Sequence, residues 1–317
     1  MKKRFLLPAM MLAAAFASCN NEDVAPVASR ATLGVDVSVN ELSRSRAMVY
    51  GTKLADGAEI GISVVESDGS NYDDNSTGYL NIPYVATGED ASQTWAASGS
   101  EILLSGTEGK AIAYFPYDEN IQNFDYTAIP VDIADQTDWM WAAPTTVLTD
   151  AAPNVSFSMQ HAQTAVNVKV VRDASYTGTG VISALTVTSE GLAQTGDLNA
   201  TNGTFANIDG ANEAVSIAGT FNLTASDGDD SNGIENEKEN PYMFIPATAE
   251  TKPFTIAATI DGKSYTVAVN MNEAFTAGKV YKIAVKISNV GLTVDGVVIL
   301  EDWTPENLAE GTLKPAP

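Results

Sequence analysis

The sequence predicts an all-β protein built from β-sandwiches. Three observations carry that prediction. Apolar and polar residues alternate at period two in several short runs, Asp-Gly pairs stand between such runs, and no long stretch has an apolar stripe at helical spacing. Period two sends one set of side chains to a core and the other to water. Asp-Gly suits the left-handed dihedrals of a type I′ hairpin turn. Many short strands joined by Gly, Asn and Asp turns match a sandwich architecture.

The chain opens with Lys2, Lys3 and Arg4, then an apolar run from Phe5 to Phe16, then Ala17-Ser18-Cys19. A basic start, a short apolar core and small residues before a cut site define an export signal over residues 1–18. The run is too short to cross a bilayer as a helix. A cysteine directly after small residues resembles a lipobox, in which the thiol receives a diacylglycerol and becomes the first mature residue. An ordinary secretory signal with an incidental cysteine is the alternative. With lipid on Cys19, membrane contact is covalent rather than spanning. Asn20-Asn21-Glu22-Asp23 resembles the surface-export signal of Bacteroidetes lipoproteins, or else belongs to a solvated tether over residues 19–30.

The first strand signal is Leu33, Val35, Val37 and Val39, alternating with Gly34, Asp36 and Ser38. Arg44 and Arg46 follow between Ser43, Ser45 and Ala47, in a polar stretch that a protease could reach. Ile60, Ile62 and Val64 form the next alternating run. Pro144, Asp150 and Pro153 break the pattern, which sets a boundary between domains at 31–154 and 155–317. Beyond it lie Val166, Val168 and Val170, and then Tyr281, Ile283, Val285 and Ile287. Asp261-Gly262 between Phe254–Ile260 and Tyr265–Val269 reads as a hairpin turn, and Asp295-Gly296 between Leu292–Val294 and Val297–Leu300 repeats the signal.

Composition narrows the function. The 317 residues suffice for two domains with real cores. Lys and Arg number 17 against 40 Asp and Glu, a net charge of −23. Such a surface repels nucleic acid and anionic lipid. Cys19 is the only cysteine, so once lipidated it leaves no thiol for a disulfide.

Candidate chemistry is sparse. His161 is the only histidine, which excludes a multi-histidine metal site, and no G-x-S-x-G elbow supports a serine triad. A structural hydrogen bond is the better reading of His161. Gly106-Thr107-Glu108-Gly109-Lys110-Ala111 has the wrong glycine spacing for a phosphate loop, and Ala111 stands where Ser or Thr is needed. The acidic stretch 227–240 spaces oxygens as a calcium loop does, but neither register supplies every ligand, so a solvated loop remains beside it. No cofactor and no metal site is expected. Paired carboxylates for glycoside hydrolysis cannot be found from sequence, since their separation in space decides the chemistry. Trp95, Trp139, Trp141 and Trp303 fit either sugar stacking or core plugging.

The order of segments resembles the fimbrillin family of Bacteroidetes, subunits of type V surface pili. The matching segments are Ser45-Arg46-Ala47, Asp56 to Ile62, Ala113-Tyr114-Phe115-Pro116-Tyr117, Phe157 to His161 with the strand after it, Phe244-Ile245-Pro246, Phe275 to Tyr281, and Asp302-Trp303. Ala58-Glu59 departs from the family's Gly-Asp at that place. The resemblance covers roughly residues 31–305 and implies two tandem transthyretin-like β-sandwich domains behind a lipoprotein signal peptide. It implies a palmitate-bearing precursor on the cell outer membrane, cut after Arg46 or Arg44, with Arg30 a weaker site. Removing the first strand would bare unpaired backbone and an apolar slot, which a strand from another fimbrial subunit (self or a paralogue) would fill. Leu292–Leu300 is apolar enough to donate, whereas Pro305, Pro315 and Pro317 suit a strand poorly. The expectation is a non-enzymatic structural or adhesive fimbrial subunit. The alternatives are a non-polymerising surface lipoprotein that binds glycan and a surface hydrolase with paired carboxylates. A host or bacterial surface glycan or protein is a further expected partner.

Overall fold

The computed structural model describes residues 30–39, 49–50, 53–74, 78–88, 92–121, 124–217, 221–223 and 242–300. Residues 1–18, expected to be an export signal, together with Cys19, Arg44, Arg46, the acidic stretch 227–240 and Trp303, lie outside them. The described regular structure is strand throughout, apart from short 3-10 turns such as Ile133–Asp135. The all-β expectation therefore holds.

The largest sheet has seven strands, in the order Gly34–Val39, Asn154–His161, Met140–Ala142, Gly109–Phe115, Glu59–Glu66, Tyr79–Thr87 and Thr94–Ala97. Its first pair is parallel, with Val35 opposite Val155 and Val37 opposite Phe157. The other pairs are antiparallel. Ile60, Ile62, Val64, Ala113, Phe115 and Phe157 build a core on one face. Ile112, Tyr114 and Val65 face the other way into a second core that also holds Trp139.

A five-stranded sheet runs Leu192–Ala193, Tyr242–Pro246, Thr164–Arg172, Val280–Ser288 and Gly291–Leu300. Facing it is a sheet of Val215–Ser216, Val181–Thr188, Phe254–Ile260 and Lys263–Val269, with Phe221–Asn222 also on Val181–Thr188. Val168, Val170, Ile283 and Val285 from one share a core with Leu185, Val187, Ile256 and Ala258 from the other. This is the sandwich the alternation implied. A separate sheet of Ile129–Asp132, Thr195–Asn199 and Thr204–Asp209 joins the two halves of the chain.

Two differences from the sequence reading have clear causes. Central strands are buried on both faces, with Ser63, Val65, Asn167 and Val171 all inside, because a second layer covers the face that alternation assigns to water. Asp295-Gly296 is not a hairpin turn. Val294 pairs with Val285 and Gly296 with Ala284, so Asp295 is the extra residue of a β-bulge. The turn lies at Asn289-Val290, between paired Ser288 and Gly291. The other Asp-Gly behaves as expected: Asp261 (φ 50°) and Gly262 (φ 74°) link paired Ile260 and Lys263.

Val155, with which the sequence division opens the second domain, lies in the strand Asn154–His161, which is hydrogen-bonded into the seven-stranded sheet. The chain changes sheets between His161 and Thr164. Buried polar side chains gather at that crossing. Gln136 Oε1 accepts from Met243 N (2.9 Å) and Gln163 Oε1 accepts from Trp139 N (2.9 Å). The oxygens of both amides are thus matched, as a buried acceptor requires, whereas the buried Gln163 Nε2 has no hydrogen-bond partner among the described residues.

Candidate strand-exchange site

The first strand sits where it could be taken out. Ala31 and Thr32 pair with Leu104 and Leu103, and Leu33 N donates to Ile102 O (2.9 Å). Gly34–Val39 then forms the outer strand of the seven-stranded sheet. Val35, Val37 and Val39 are β-branched and favour extended backbone. Gly34 lies against the Asn154 side chain, where a Cβ would collide with Asn154 Oδ1.

Its inward face is embedded. Leu33 is 3 %, Val37 0 % and Val39 3 % exposed, and Val35 is half-buried against the same core. Burying the three fully enclosed side chains contributes about 4–9 kcal/mol, an upper bound because an unfolded chain hides part of that surface. Val35, Val37 and Val39 therefore lie on one strand, Leu33 lies just ahead of it, and all four face one core.

Polar contacts fix the strand along its length. Arg30 Nη2 donates to Asp73 Oδ2 (2.9 Å) and Thr32 Oγ1 to Glu101 Oε2 (3.1 Å). Lys53 Nζ donates to Asp36 Oδ1 (2.7 Å) and to Val37 O (2.6 Å). Lys53 is in the strand Lys53–Leu54, which pairs with Val49–Tyr50. The sequence reading passed over Lys53 and Asp73, since nothing local marks a lysine or aspartate whose partner is set by the fold.

Other candidates resolve into structure. His161 Nδ1 lies 3.0 Å from Asp138 Oδ1, with both side chains buried, which is the structural hydrogen bond expected of it. Trp95 and Trp139 are buried in the two cores, and Trp139 stacks on Tyr114 (6.3 Å between centroids), so neither offers a face to sugar. Among the described residues no group of three or more His, Cys, Asp or Glu is placed to hold a metal ion. Gly106-Thr107 forms a bend before the strand Gly109–Phe115.

The described residues thus form an all-β scaffold whose first strand is peripheral and fills a core. A fimbrillin-like family model matches residues 45–303, and the chain belongs to that family. The match begins just beyond the first strand. A candidate cell adhesion protein from Bacteroides uniformis has a crystal structure similar to this fold, at 20 % identity and TM-score 0.58, over 87 % of this chain and 98 % of that one. Another from Bacteroides ovatus is similar at 18 % identity and TM-score 0.58, over 88 % and 100 %. At these identities the likeness concerns fold. No curated protein matches the sequence.

Proposed function

We propose that this protein is a structural, adhesive subunit of a cell-surface fimbria, exported as an outer-membrane lipoprotein through Cys19. A single cut after Arg44 or Arg46 frees the first strand, and a strand from a neighbouring subunit takes its place. Membership of the fimbrillin-like family supports the subunit reading. The observation that carries strand exchange is the placement of Val37 and Val39, on an outer strand, and of Leu33 just ahead of it inside one core. Emptying that place leaves the Asn154–His161 strand with bare backbone groups and an apolar slot, which β-augmentation satisfies. Contacts of this head-to-tail kind do not close and so extend into filaments. We place the boundary between two sandwich domains at the sheet change, between His161 and Thr164.

A disulfide staple tests this reading. Ser38 and Ser158 are opposite each other in the parallel pair, and Ser158 is exposed. The Ser38→Cys/Ser158→Cys variant, once oxidised, is expected to be cut normally yet fail to enter fimbriae, and reductant is expected to restore entry. Normal assembly with the staple closed would overturn strand exchange.

A further inference from the structure

We propose that Lys53 selects the strand that fills the vacated slot, by demanding a carboxylate where Asp36 now stands. This rests on the strand-exchange reading and names the chemistry of the partner at that same place.

Lys53 touches the first strand twice, at Asp36 Oδ1 (2.7 Å) and at Val37 O (2.6 Å). Any incoming backbone can offer a carbonyl in place of the Val37 oxygen. Only an acidic side chain can replace the Asp36 charge. Lys53 is also partly buried: its side chain is 17 % exposed, against 60 % for Asp36. A partly desolvated ammonium that loses its counter-charge is penalised more than an open one.

The chain order gives this pair its meaning. Arg44 and Arg46 stand between Asp36 and Lys53 in sequence. A cut at either sends Asp36 away with the strand and leaves Lys53 in the body. The emptied slot is then lined by a cation, in a chain with 17 basic and 40 acidic side chains. The partner segment must be extended, with apolar residues at the places of Leu33, Val37 and Val39 and an acid at the place of Asp36. Complementary charge of this kind sets register and excludes wrong partners more than it adds affinity.

The same device recurs elsewhere in the molecule. Leu292-Thr293-Val294-Asp295 repeats the Leu-x-Val-Asp order of Leu33–Asp36. Asp295 also meets a lysine, with Lys286 Nζ 2.7 Å from Asp295 Oδ1. Two outer strands are thus each pinned by one lysine to one aspartate.

Peptide exchange tests the assignment. A recognition sequence for a single-cut protease is placed within residues 40–48 of the full chain, and labelled peptides of sequence 31–39 compete for the slot after cleavage. The native peptide is expected to bind, the Asp36→Asn peptide to bind several-fold more weakly, and the Asp36→Lys peptide about tenfold or more weakly, as like charges demand. On the Lys53→Glu protein the order of native and Asp36→Lys peptides is expected to reverse. Should Lys53→Glu fail to fold, the three peptides on the native protein still decide the matter. Equal binding of all three overturns the role of Lys53 and leaves strand exchange standing. Failure of every peptide to enter overturns both.

Discussion

Asp261 shows how much one residue can hold. It occupies the first turn position of a hairpin, yet its carboxylate accepts from Thr179 Oγ1, Gly180 N (2.9 Å), Val181 N (2.9 Å) and Tyr176 OH (2.9 Å). The hydrogen bond from Thr179 leads, with those from the two backbone N–H groups next, in holding this carboxyl well below the usual aspartate range. A depressed folded-state value means stability that is present above the unfolded value of 3.8 and lost as pH falls through the folded one. Asp261→Asn keeps a residue that tolerates the left-handed turn but removes the charge. The variant is expected to melt below the native protein at pH 7, with the gap closing in acid below about pH 4. Melting curves at both pH values check this, and an unchanged gap would contradict it. The sequence announced the turn but not the clamp, because Thr179 is 82 residues away. His161 was legible in the same partial way: its structural role could be read, but not its partner Asp138.

Among elements, one dipeptide has two outcomes. Asp261-Gly262 joins two strands of matched length and makes the turn. Asp295-Gly296 lies within Gly291–Leu300, which pairs with Val280–Ser288 from end to end, and that pairing forces a bulge instead. Local chemistry proposes a turn; the ladder opposite decides. Deleting Asp295 would restore an unbroken ladder, since Val294 and Gly296 already face consecutive residues. The deletion is expected to fold with a loss near that of one partly exposed ion pair, about 1 kcal/mol or less. By contrast, deleting Val168 from the central strand Thr164–Arg172 should abolish folding, because every side chain beyond it changes face. Denaturant titration of the two variants checks the contrast. A severe loss on deleting Asp295 would mean that the bulge is required by the core.

The whole molecule depends on one long-range pairing that no sequence window contains. Gly34–Val39 lies parallel to Asn154–Met159, about 120 residues further on. The alternation of Leu33 to Val39 gave away a strand and its buried face. It could not say which strand lay beside it, and so a sequence division at 154/155 cut through the sheet. The slot, its lysine and the arginines proposed for cleavage are linked only when that pairing is known. N-terminal sequencing of the protein recovered from assembled fimbriae tests that link most directly. The expected first residue is Ser45 or Ala47, next after Arg44 or Arg46. A chain in the assembled fraction that still begins ahead of Leu33 would contradict strand exchange.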